Sequence, residues 1–476
     1  MAQIGRYRTP LSGIPAEAGG EPLAFKSPLS FSAAASKPLR ERPEAGRPSV
    51  QERIAYGALL LFVSLIYISP GMLYHPLEDW PIAKGLAVIS FLFLFSAMRA
   101  KGTPWRLTDP PSLFLIAFAV CNGLSIITAL WREYALNAFL DFLKVVLVYF
   151  LILHLLNRNE RIRPLFWVIT WAAMVPAVGA LVRFFLKIDL VEGYRAAWIG
   201  IYADPNDLAY NLVILIPVVL ALLEMEQSFF KRLLLLVPLC IFLVTIYLTF
   251  SRGGLVGLMV VFFFQFLRSR NRLFNFALAA ALGAVLLPLA PARYWERAET
   301  ILNFRQDESA MGRVYAWKAG FAMVQDRPLL GVGVGCFVLG WPIYAPGDAG
   351  TKWRAAHNTF VNVMGETGLP GLVSFLGLMG SALWRIRRPS RSAPRVRRPL
   401  MGPMIGPTSA VGRPPRLEAI QEDETDRRAA LYARAAEIAL WGFLACSLTL
   451  GVSRTWPPYI FAGLAVVLQR KKVERE

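Results

Sequence analysis

Long apolar runs constrain this chain more than any other feature. A helix needs roughly 20 predominantly apolar residues to cross the hydrocarbon core of a bilayer. Runs of about that length recur at 54–69, 82–98, 113–131, 138–156, 165–186, 207–223, 233–250, 253–267, 273–291, 357–384, 432–451 and 456–469. They lack strand alternation, and helices or closed barrels alone satisfy backbone polar groups in lipid. The reading is an all-α polytopic membrane protein with about 12 transmembrane helices. Composition agrees: 55% of residues are hydrophobic and only 17% charged, where soluble proteins average roughly a quarter charged.

The net charge of +19 invites a nucleic-acid partner, and its distribution rejects one. With the N-terminus inside, 35 of the 51 Lys and Arg residues fall in cytoplasmic segments and 13 outside. Short basic loops (Arg99/Lys101/Arg106, Arg158/Arg161/Arg163, Lys231/Arg232, Arg268/Arg270/Arg272) recur on the same side, which is the positive-inside pattern. Both termini are therefore expected in the cytoplasm, with membrane lipids as the surrounding partner and no nucleic acid.

Organisation follows. Residues 1–52 read as a disordered cytoplasmic tail and 53–291 as membrane helices 1–9. Residues 292–356 read as a long extracytoplasmic loop and 357–385 as helix 10. Residues 386–430 form a Pro/Arg-rich disordered linker, and 431–476 carry helices 11–12 and a basic tail. Within the loop, 312–325 is expected as an amphipathic helix with Val314, Trp317, Phe321 and Val324 on its apolar stripe. Pro328 ends it, and Gly331, Gly333 and Gly335 are expected to make a flexible turn. Four cysteines show neither disulfide nor zinc spacing, and no Walker-type phosphate loop is present.

The residues suited to chemistry gather on the outer side. His357 ends the long loop and begins a helix, where an imidazole can accept a proton near neutral pH. Asn358, Asn362 and Glu366 follow at i, i+4 and i+8, a helical face expected to turn from lipid, with Glu366 paired inside the bundle. Arg252, in Thr-Phe-Ser-Arg-Gly-Gly (249–254), sits at the membrane edge, where a guanidinium matches phosphate oxygens; the neighbouring glycines would admit a headgroup to the backbone. Arg313 offers a second cation at the start of the amphipathic helix. Arg195 precedes Tyr202-Ala-Asp-Pro-Asn-Asp-Leu-Ala, whose Asn206 reaches the same side. The remaining outer cations, among them Lys352 and Arg354, read as solvated charges, and Asp204 and Asp207 as a turn and cap.

In this order and spacing, these fragments, with Gly312-Arg-Val-Tyr-Ala-Trp-Lys, Asp326-Arg-Pro-Leu-Leu-Gly-Val-Gly, His357-Asn-Thr-Phe and Gly365-Glu-Thr-Gly-Leu-Pro-Gly, resemble the O-antigen ligase superfamily, which includes Wzy-type polysaccharide polymerases and protein O-oligosaccharyltransferases. The resemblance is centred on about 200–375. It implies metal-independent, cofactor-free glycosyl transfer at the outer face of the bacterial inner membrane. The donor would be an undecaprenyl-diphosphate-linked glycan. The acceptor would be a hydroxyl of a lipid A core, a growing polysaccharide or a protein, and the residues do not choose among these. It also implies that Arg252 and Arg313, with Arg195, hold the diphosphate and that His357 activates the acceptor. A lipid-linked glycan flippase is the rival reading, kept alive by Lys144 and Glu366 within spans.

Overall fold

The computed structural model describes residues 48–73, 82–105, 107–157, 159–268, 272–273, 277, 308–388 and 415–473. The expected tail up to residue 47, most of the span expected at 273–291, the loop up to 307, and 389–414 lie outside the described residues. Among the described residues there are helices and no strand; one isolated bridge joins Val191 and Arg195.

The principal helices are α1 Val50–Ile68, α2 Ile82–Lys101, α3 Pro110–Leu124, α4 Arg132–Leu155, α5 Asn159–Ala172, α6 Met174–Phe185, α7 Pro205–Val213, α8 Ile216–Met225, α9 Phe229–Leu248, α10 Arg252–Arg268, α11 Glu308–Asp326, α12 Thr359–Arg387, α13 Pro415–Ser447 and α14 Pro457–Val473. Among the described residues, eight spans are long and apolar enough to cross a membrane: α1, α2, α4, α5–α6 together, α7–α8 together, α9, α12 and 424–447 of α13. The chain is a multi-pass membrane protein. Three further expected spans coincide with the shorter helices α3, α10 and α14. Helix α12 runs to Arg387 and α13 begins at Pro415, so 386–387 and 415–430 of the expected linker are helical. The acidic residues 422–426 lie within α13.

The basic loops are tied down by carboxylates that sequence reading passed over. Glu52 meets Lys101 at 2.6 Å and Arg161 at 3.6 Å. Asp109 holds Arg385 at 2.7 Å and also Arg470. Glu437 holds Arg387 at 2.6 Å and Arg268 at 2.9 Å. Glu226 pairs with Arg163. Alternate helix termini are thereby joined at one end of the bundle. The turn between α9 and α10, and the starts of α7 and α12, belong to the opposite end, where the candidate site forms.

Close helix crossings use small residues, as membrane bundles do. A Cβ at Gly253 would stand 2.0 Å from Thr449 Oγ1, one at Gly254 2.7 Å from Ala209 Cβ, and one at Gly257 2.3 Å from Cys446 Sγ. These glycines thus let α10 press against α7, against α13 and against the residues just after it. The expectation that these glycines open the backbone to a headgroup is corrected: both are buried against protein.

The Gly-Val-Gly-Val-Gly segment is not a flexible turn. Gly331, Gly333 and Gly335 have φ of 65°, 102° and 81°, a region costly for other residues. They thread the segment against a break in α12 at Gly368 (φ 71°, ψ −173°). The break leaves two carbonyls without helical donors. Leu369 N donates to Pro328 O at 2.8 Å instead of to Gly365, and Pro370 has no N–H to offer Glu366. Val332 N and Gly333 N replace them, donating to Gly365 O and Glu366 O at 2.9 and 3.0 Å. The connection between α11 and α12 is locked to the bundle by this exchange.

Candidate active site

At the end of the bundle opposite the carboxylate pairs is a cavity of about 780 Å3. Its walls come from five separate stretches. These are Val191, Glu192 and Arg195; Ala203 to Asn206; Phe250 and Arg252; Gly312 and Arg313; and Lys352 to Ala355 with His357. Of the predicted residues, Arg195, Asn206, Arg252, Arg313 and His357 are brought together here. Lys352 and Arg354, read from sequence as solvated charges, line it as well.

Each predicted side chain is positioned by a local device. Phe250 adopts φ 51°, unusual for a residue with a Cβ, and this tight reversal makes Ser251 the cap of α10. Ser251 Oγ accepts from Gly254 N at 3.1 Å and donates to Asn206 Oδ1 at 2.8 Å. Arg252 is thereby placed on the first turn of α10. Asp204 caps α7, accepting from Asn206 N at 2.7 Å and Asn206 Nδ2 at 2.9 Å, as its turn-and-cap reading anticipated. Arg195 is buried, and all three guanidinium nitrogens have protein partners. Nε donates to Thr249 O at 2.9 Å, Nη2 to Asn206 Oδ1 at 2.9 Å and Nη1 to Glu192 at 3.2 Å. It brackets the start of α7 to the turn carrying Arg252.

His357 is held from both sides. The carbonyl of Ala356 accepts from Trp317 Nε1 at 3.1 Å. Asn358 caps α12, accepting from Phe360 N and Val361 N at 2.9 and 3.1 Å. Between them His357 takes φ 43°, a strained conformation that persists only where its surroundings enforce it. Burial, then the nearby Arg313 and Arg354, push its pKa below the ordinary imidazole value, with Asp204 opposing them. The lowering favours the neutral form of the ring, the form that can accept a proton.

The face Asn358–Asn362–Glu366 does turn from lipid, but along a seam and not into the cavity. Asn358 Nδ2 donates to Leu448 O at 3.1 Å. Asn362 lies against Gly451, where a Cβ would stand 3.7 Å from its Oδ1. Glu366, 5% exposed, pairs with Arg454 at 3.4 Å. Three successive turns of α12 thus meet successive residues of the α13–α14 connection. The signal for Arg454 was available in sequence, as a lone arginine between two apolar runs on the side of Glu366.

The helix at 308–326 also buries a different face from the expected one. Gly312, Ala316, Ala319, Gly320 and Met323 are buried, whereas Phe321 is 52% exposed. Small residues allow close approach: a Cβ on Gly320 would stand 2.4 Å from Val361 Cγ1, and one on Gly312 1.9 Å from Arg354 Nη1. A hydrophobic pattern underweights glycine and alanine, which here form the contact.

Among the described residues no group of three or more His, Cys, Asp or Glu side chains is arranged to hold a metal ion. The cavity's positive charge comes from Arg195, Arg252, Arg313, Lys352 and Arg354, and His357 is the one imidazole in its lining.

Residues 237–376 match the family model described as O-Antigen ligase. This segment is similar to that family. It contains Arg252, Arg313 and His357, together with the Gly331–Gly335 segment and the Gly368 break. A comparison with curated proteins gave no match.

Proposed function

We propose that the cavity transfers a glycan from an undecaprenyl-diphosphate-linked donor to an acceptor hydroxyl at the outer face of the bacterial cytoplasmic membrane, with both termini of the chain inside. What carries the reading is the convergence of Arg252, Arg313 and His357, from three segments far apart in sequence, on one cavity. The O-antigen ligase match supports glycan transfer as the reaction class.

In this reading Arg252 and Arg313, joined by Lys352 and Arg354, grip the diphosphate. Fixed cations stabilise charge that develops as the leaving group departs, and they need no reorganisation to do so. Arg195 holds the Arg252 turn and adds its charge to the wall. The acceptor oxygen attacks the anomeric carbon, and the bond from that carbon to the phosphate oxygen breaks. Undecaprenyl diphosphate leaves with the electron pair, and the hydroxyl proton passes to neutral His357. No nucleotide or metal is required in this scheme, because the donor is already activated. Asn358, Asn362 and Glu366 support the site by fixing the start of α12.

The test is reconstitution of the full chain in nanodiscs with an undecaprenyl-diphosphate glycan and candidate acceptors, following undecaprenyl diphosphate release. Release by the wild type and its loss in His357→Ala are expected. Full transfer by His357→Ala would remove the proposed base.

A further inference from the structure

A second cavity, of about 400 Å3, lies on α4 beside the α13–α14 connection and apart from the site above. That volume is in the range of small-ligand pockets, roughly 300–1,000 Å3. Tyr134, Asn137, Asp141 and Lys144 line it from α4, and Arg454 and Trp456 from the connection. The four α4 residues follow helical spacing and form one polar stripe.

The depth of this stripe is what demands an occupant. Helix α4 has 24 residues and is among the membrane-crossing spans. At about 1.5 Å per residue, Asp141 and Lys144 lie roughly 14 and 18 Å from Arg132, well inside the span. Aromatic residues commonly mark the membrane interface, and Trp131 and Tyr134 stand at that end, each about half exposed. Asp141 and Lys144 pair with each other, yet their side chains are 71% and 41% exposed. Charged groups within a span face polar surroundings, not hydrocarbon.

The chemistry of the lining selects the occupant. Lys144 is matched by Asp141 and Arg454 by Glu366, so a ligand with net charge would disturb two balanced pairs. What remains is an alternation of donors and acceptors, from an ammonium, a guanidinium, a carboxylate, an amide and a phenol, with two aromatic rings beside them. A sugar has that character, with hydroxyls that both donate and accept and apolar C–H faces that lie on rings. Leu136, Leu140 and Leu143, 46%, 48% and 37% exposed, form the neighbouring stripe of α4 and suit an alkyl chain. We propose that this groove binds the sugar headgroup of a membrane amphiphile, its chain lying along the leucine stripe.

The groove is mechanically joined to the first site. The connection that carries Arg454 and Trp456 is stitched to the start of α12, where Thr359 Oγ1 donates to Leu450 O at 2.7 Å and accepts from Val452 N at 3.0 Å. The inference concerns binding alone and does not depend on the transfer chemistry.

The test uses the full chain in phosphatidylcholine nanodiscs with an alkyl glucoside that carries a photoreactive diazirine on its sugar. Labelled peptides are expected to contain residues 132–145 or 448–456. Dodecyl maltoside should compete, and dodecyl phosphocholine of the same chain length should not. Loss of a hydrogen bond to a charged group is expected to reduce labelling by roughly an order of magnitude in Asp141→Asn, with Asn137→Ala in the same direction and the melting temperature unchanged. Equal competition by phosphocholine would overturn the sugar preference. Labelling confined to other segments, or unaffected by both variants, would overturn the site.

Discussion

Replacing Gly331 by alanine tests whether the Gly331–Gly335 segment is a structural lock. Gly350 supplies the internal control. The two glycines have φ of 65° and 72°, and a Cβ on Gly350 meets nothing within 4 Å. Both substitutions therefore bear the same left-handed backbone cost, about 1–2 kcal/mol. At Gly331 the new Cβ would also stand 2.5 Å from Glu366 C and from Gly365 O, and these are backbone atoms that cannot swing aside. Forcing them apart costs roughly 1–3 kcal/mol as overpacking. The shift also strains the bonds from Val332 N and Gly333 N to the two orphaned carbonyls, each contributing about 0.5–1.5 kcal/mol. Gly331→Ala should thus be less stable than Gly350→Ala by about 2–6 kcal/mol. Thermal unfolding in detergent, followed by tryptophan fluorescence, should place Gly331→Ala several degrees below Gly350→Ala. Coincident melting curves would refute the claim that this segment plugs the break in α12.

Other outcomes follow from the same geometry. Asn358→Ala removes the α12 cap and the bond to Leu448 and should destabilise by about 1–2 kcal/mol, with Asn358→Ser recovering most of it; equal melting of both variants would contradict the cap. Activity that needs neutral His357 should fall as pH drops through its lowered pKa. Asp204→Asn removes the influence that raises that pKa and should move the acidic limb of the kcat/KM profile to lower pH, while Arg354→Gln should move it higher; shifts in one common direction would contradict the assignment. Glu366→Gln strands Arg454, and because Arg454 is 30% exposed the loss should stay below the roughly 3–5 kcal/mol of a fully buried pair. The double variant with Arg454→Gln should regain part of that loss in a chemical denaturation series.

The membrane architecture was legible because apolar runs of spanning length have few other destinations. Arg252, Arg313 and His357 were legible because a cation or imidazole at the edge of such a run is conspicuous. What escaped were pairings between distant segments. Nothing local in Gly331–Gly335 announces that its N–H groups serve carbonyls released by Gly368 and Pro370. Small residues hid the packing face of 308–326, and hid the purpose of Gly253–Gly254, because a hydrophobicity pattern gives little weight to glycine. Arg195 was recognised as important at this end of the bundle, yet its contacts to Thr249, Asn206 and Glu192 make it a bracket of the wall, a role that depends on where the turns fold.

If fixed cations hold the donor while His357 takes the proton, donor binding and turnover respond to different substitutions. Donor affinity and single-turnover rate should be measured in nanodiscs for Arg252→Lys, which keeps the charge and loses the fork, and for His357→Gln. Weaker donor binding is expected in Arg252→Lys, and near-normal binding with a rate lower by roughly 100- to 10,000-fold in His357→Gln. Unchanged donor affinity in Arg252→Lys together with an unchanged rate in His357→Gln would contradict that division of roles.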